Sequence, residues 1–121
     1  MKIYLKMPNA LTEHYHTELT AAKNALSKKD LIKSWHHLER AHILGQPYPI
    51  EHTAVHWKML HFGLKIKDTK EIIGQIPRLL FGGIKSFVGK IPMGNTGGAN
   101  VNALKSMKIP EELQHIIDQN R

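Results

Sequence analysis

The chain has 121 residues, 41% of them hydrophobic, 22% charged and 7% aromatic, which is the composition of an ordinary soluble globular domain, and residues 1–121 read as one helical domain. It contains no cysteine, which excludes disulfides, thiolate nucleophiles and sulfur-ligated zinc or iron–sulfur sites. Seventeen Lys and Arg against ten Asp and Glu give a formal net charge of +7, and the excess is concentrated over residues 62–90, where six basic residues meet two carboxylates.

No stretch approaches the ~20 apolar residues of a membrane span. The amino terminus, MKIYLKMP, lacks the apolar run of a signal peptide, so the chain reads as cytoplasmic. Helical periodicity dominates, and the expected fold is all-α. Leu11, Tyr15, Leu19, Ala22 and Leu26 recur at spacings of four or three and predict a first helix from Asn9, its N-cap, to Ser27. Lys28 to Asp30 form a break. Asp30 caps a second helix carrying Leu31, Trp35, Leu38 and His42 on one stripe, and Gly45 supplies a left-handed C-terminal residue. After a turn over residues 46–49, Pro49 opens a third helix whose apolar face is Ile50, Thr53, Trp57, Leu60 and Leu64, ending at Ile66.

Asp68 and Glu71 then read as a capping-box variant opening a fourth helix, with Ile72, Ile73, Ile76, Leu79 and Leu80 as its apolar side and Pro77 as an interruption. Residues 84–90 offer another turn or two of helix. The segment from Ile91 to Ile109 is rich in Gly and Asn and reads as an ordered loop, with Asn95, Gly97 and Gly98 in turn conformations. Pro110, Glu111 and Glu112 start a short final helix. Short connections favour antiparallel helical hairpins, arranged as a tetratricopeptide-like pair or a small bundle.

Six of nine histidines fall between His36 and His61. Glu39 and His42 are neighbours on the second helix, and His52 and His56 are neighbours on the third. In a tight antiparallel hairpin, positions summing to roughly 95 lie opposite each other, so Glu39, His42, His52 and His56 converge. Three imidazoles and a carboxylate are a metal-ligand set. Zinc suits it first, and iron(II), copper(II), nickel or cobalt are compatible with the same donors. The bland alternative is a buried Glu/His hydrogen-bond network within a tetratricopeptide-like interaction module.

Glu-x-x-His pairs also occur at Glu13–His16 and Glu112–His115, the pattern of di-iron carboxylate bundles, although the further carboxylates such a site needs are hard to place. Trp35 and Trp57 read as core anchors. The basic segment Lys65, Lys67, Lys70, Arg78, Lys85 and Lys90 lacks a reading helix or an aromatic RNA motif. It reads as solvated surface, and a partner drawn to it would be an acidic protein rather than nucleic acid. No Ser/His/Asp arrangement emerges, and a metalloenzyme would need an open coordination position and a pocket.

At HLERAHILGQ (His37 to Gln46), His52–Thr–Ala–Val–His56, PMGNTGGANV (Pro92 to Val101) and MKIP (Met107 to Pro110), the chain resembles the bacterial domain of unknown function 3703 family. That resemblance implies a small helical protein of the kind met among heavy-metal-resistance genes, and hence metal handling, buffering or sensing. It supplies no catalytic residue. Of the candidate ligands, Glu39, His42, His52 and His56 fall on the family's motifs.

Overall fold

The structure, a computed structural model, describes residues 6–76, 78, 97–98 and 107–120. Every regular element among them is helical: α1 (Asn9–Ser27), α2 (Leu31–Gly45), α3 (Pro49–Ile66), α4 over residues 69–76, and α5 (Glu111–Gln119). The readings placed on Pro77, on residues 79–96 and on residues 99–106 lie outside the described residues.

The start and stop signals account for the helix boundaries. Asp30 accepts a hydrogen bond from the Lys33 amide at 3.1 Å, Pro49 occupies the first turn of α3, and Asp68 accepts from the Glu71 amide at 3.1 Å. Asn9 is the first helical residue rather than the cap; Pro8 holds that position, and its carbonyl accepts from the amide and hydroxyl of Thr12. Lys29 and Lys67, both at φ 61°, occupy the left-handed region where α1 and α3 end. Gly45 is not left-handed, because α2 continues through it into Gln46 at φ −55°. Its lack of a side chain serves close approach instead: a Cβ there would meet Tyr15 Cε2 at 3.1 Å and Glu51 Cβ at 3.3 Å.

Helices α1 and α2 are antiparallel, as are α2 and α3. Ser34 Oγ donates to the Ala22 carbonyl at 2.7 Å across the first pair, and the Trp35 and Phe62 rings lie 5.1 Å apart across the second. The core runs through Leu11, Tyr15 and Ala22 of α1, Leu38, Ala41 and Leu44 of α2, and Val55, Met59 and Phe62 of α3, and Leu113 of α5 is buried against it. Helix α5 is tied on by charge. Both oxygens of the buried Glu18 accept from Arg40 Nε at 2.8 Å, and Arg40 Nη2 donates to Glu112 at 2.7 Å. Arg40's hydrogen bond and charge hold the Glu112 carboxyl below its ordinary range.

The predicted apolar face of α3 is not the buried one. Ile50, Trp57 and Leu64 are 73%, 60% and 55% exposed, while Val55, His56, Met59 and Phe62 point inward. Helix α3 carries apolar residues on more than one face, so periodicity leaves two candidate stripes, and packing on α2 selects the one that carries His56. Trp57 is therefore no core anchor, whereas Trp35 packs against the core. In α4, likewise, Ile73 and Ile76 are exposed and the polar Glu71 and Gln75 are buried.

The Tyr15 hydroxyl donates to the Glu51 carbonyl at 2.8 Å and so links α1 to the start of α3. Burial, aided by the nearby Glu51 charge, pushes its ionisation well above the ordinary phenol range. Tyr15→Phe should lower stability by about 1 kcal/mol, seen as a melting temperature several degrees lower by circular dichroism, with helical content unchanged.

Candidate metal centre

The site is built by the α2–α3 hairpin. The Tyr48 amide donates to the Gly45 carbonyl at 2.9 Å, and the turn delivers the chain to Pro49, where the helix restarts in the opposite direction. This register sets His42, in the last turn of α2, against His52 and His56, which stand one above the other on α3. The three Nε2 atoms converge. His42 and His52 are 3.1 Å apart, His42 and His56 3.1 Å, and His52 and His56 3.0 Å. The ring planes are splayed at 63–76° to one another, so the imidazoles meet only at their tips. His42 is 2% exposed and His56 4%, and His52 is the half-buried member.

A second layer orients this trio. His56 Nδ1–H donates to Gln75 Oε1 at 2.6 Å, while Gln75 Nε2 donates to Glu71 Oε2 at 2.5 Å and to the Gly97 carbonyl at 2.9 Å. The amide cannot be turned over, because its oxygen would then face a carboxylate and a carbonyl, acceptor against acceptor. A neutral His56 therefore carries its proton on Nδ1 and presents the lone pair of Nε2 to the other two rings. Gln75 is fully buried, and its nitrogen also lies 3.6 Å from Met59 Sδ.

The other cover is the Gly97–Gly98 segment. Gly97 is at φ +87°, and a Cβ there would lie 2.5 Å from His42 Cδ2 and 2.8 Å from its Nε2, so backbone lies directly on the imidazole. Arg78 holds the neighbouring residue, donating to the Gly98 carbonyl at 3.2 Å and to the Gly74 carbonyl at 2.7 Å. Burial pulls this guanidinium below its ordinary value, against the opposing charge of Glu71.

Among the described residues, His42, His52 and His56 form the group whose ligand atoms all lie within 4.8 Å of one another, and such a group can hold a metal ion. The opposed positions that sequence spacing places near a sum of 95 sum to 94 and 98 here. Glu39 stands half-buried one turn before His42 on α2, outside that convergent set. The di-iron pattern does not assemble among the described residues: Glu13 and His16 are exposed, and Glu112 pairs with Arg40. His37 hydrogen-bonds Glu18 at 3.3 Å, while His14, His36 and His61 are exposed.

Sequence reasoning missed Gln75 and the seating of Gly97 on His42. The available signal for the first was a Glu and a Gln four apart, and so on one face, with Ile72, Ile73, Gly74 and Ile76 around them. The match to known families covers all of these residues. The chain belongs to the family described as Protein of unknown function (DUF3703), whose family model matches residues 9–117. Neither the curated proteins nor the solved structures give a match to this chain.

Gly97→Ala should destabilise the fold by about 1–3 kcal/mol in urea denaturation, since the new methyl must displace the His42 ring while the backbone keeps a left-handed φ. An unchanged midpoint would show that the segment does not rest on the imidazole.

Proposed function

We propose that the protein binds one divalent transition-metal ion through Nε2 of His42, His52 and His56, for metal handling, buffering or sensing, with Glu39 as the candidate carboxylate for a fourth position. The observation that carries this reading is the closed triangle of nitrogens. Each Nε2 bears either a proton or a lone pair, so with three members at least two share the same role and face each other unmatched. Hydrogen bonding can satisfy at most two of the three contacts, and an ion accepting three lone pairs satisfies them all. This odd count favours the metal over a purely structural histidine network.

Nitrogens spaced as these are would sit about 2.0–2.1 Å from an ion lying roughly 1 Å off their plane, with nitrogen–metal–nitrogen angles of about 97°. Such angles lie between those of a tetrahedral site and one face of an octahedron, compatible with zinc first and with iron(II), cobalt, nickel or copper(II). The Gln75 contact supports the same reading, because an imidazole ligand ordinarily gives its other N–H to an outer hydrogen-bond partner.

Protein purified without a histidine tag should take up one Zn2+ or Co2+ per chain in calorimetric titration. Its melting temperature should rise by about 10 °C at a hundredfold excess over Kd. The double substitution His42→Ala with His56→Ala should abolish stoichiometric uptake; full occupancy in that variant, or no uptake by the parent chain, would rule the reading out. Glu39→Gln should leave the stoichiometry at one and weaken binding if the carboxylate completes the shell. Gln75→Leu, which frees the His56 ring, should weaken binding by about 10–100-fold while a folded helical spectrum persists.

A further inference from the structure

The face of α3 opposite the histidines borders a trough. Helices α1 and α3 each pack on α2, and no Cα atoms of α1 and α3 come within 8 Å of each other. Between them two cavities of about 490 and 450 Å3 share Leu19, Lys23 and Lys58 and so form one groove, running from Tyr15 and Ile50 at one end to Leu26 and Lys65 at the other. The matched ends show that α1 and α3 run parallel. Along α3 the groove extends from Ile50 to Lys65, about 22 Å of helix rise. Its floor is apolar, with Leu19, Ala22, Leu38 and Phe62. Trp57 stands on its wall 60% exposed, and Ile50 at its end is 73% exposed.

Among the described residues the charge on this groove is predominantly positive. Lys23, Lys58 and Lys65 are exposed along it, with His61 beside them. Among the described residues no carboxylate lines the Leu26–Lys65 half, and Glu51 is the one acidic residue of the other half. A second copy of a chain with formal charge +7 would bring lysines against lysines. A groove four helical turns long, apolar at its base and cationic along its sides, matches an amphipathic helix with an apolar stripe and acidic flanks.

We propose that the α1–α3 groove is a docking site for an acidic amphipathic helix of a partner protein, with Trp57 as its aromatic anchor. The inference does not rest on metal binding, since His52, His56 and Met59 lie on the other side of α3 from Ala54, Lys58, His61 and Lys65.

The probe is a fluorescein-labelled peptide of four helical turns with leucines at three- and four-residue spacings and glutamates flanking them, compared with the same peptide carrying lysine for every glutamate. By anisotropy, the acidic peptide should bind the full chain about tenfold or more tightly than the lysine version, and its affinity should fall steeply as salt rises. Lys58→Glu with Lys65→Glu should reverse the preference, and Trp57→Ala should weaken the acidic peptide about tenfold, while both variants keep their melting curves and metal uptake. Equal binding of the two peptides, binding of neither, or a preference that survives the lysine reversals would overturn the proposal. So would a stable dimer in sedimentation that Trp57→Ala dissolves, because a second copy would then occupy the groove.

Discussion

Three imidazole nitrogens within 3.1 Å of one another are a costly thing to build, and the surrounding structure is organised around holding them there. Two of the rings are buried, and no assignment of protons lets all three contacts be hydrogen bonds. The arrangement persists because each ring is fixed from outside: His42 by the end of α2 and the Gly97 backbone, His52 and His56 by consecutive turns of α3, and His56 further by Gln75. The α2–α3 register is the constraint beneath all of this. A one-residue slip of one helix past the other would rotate either His42 or the pair on α3 away from the common point.

The second layer explains why α4 buries polar residues and leaves isoleucines in solvent. Glu71 and Gln75 take the positions that face α3 and the Gly97 segment, and in that setting a satisfied amide is worth more than another apolar contact. Gln75 uses its oxygen on His56 and both amide hydrogens on Glu71 and Gly97, so one side chain ties α4 and the Gly97 segment to the histidine cluster. Gly97 is required on two grounds at once, a left-handed backbone and the absence of a Cβ against His42.

Helix α3 serves two surfaces. One side carries His52, His56, Met59 and Gly63 toward α2 and α4, and the other carries Ala54, Lys58, His61 and Lys65 along the groove with α1. The groove side is mainly basic and the histidine side is buried, so the two surfaces differ in chemistry as well as in direction.

Local chemistry was enough to settle much of this from the amino-acid order. Asp30, Pro49 and Asp68 set helix starts, the 3–4 periodicity of Leu11, Tyr15 and Ala22 set the buried side of α1, and the short turn after Gly45 set the register that opposes His42 to His52 and His56. These are signals read within a few residues or across a single tight turn, where backbone geometry leaves few choices. Other features depended on contacts between distant segments. Which stripe of α3 is buried was decided by α2, the burial of Gln75 by His56 and Gly97, nineteen and twenty-two residues away in sequence, and the exposure of Trp57 by a gap between helices that periodicity does not encode. Sequence alone thus determined an all-helical chain with a histidine-bearing hairpin, because hydrogen bonding and side-chain period are local. Only the tertiary structure decided that three nitrogens meet at one point and that α1 and α3 leave a groove, because those outcomes depend on how whole helices pack.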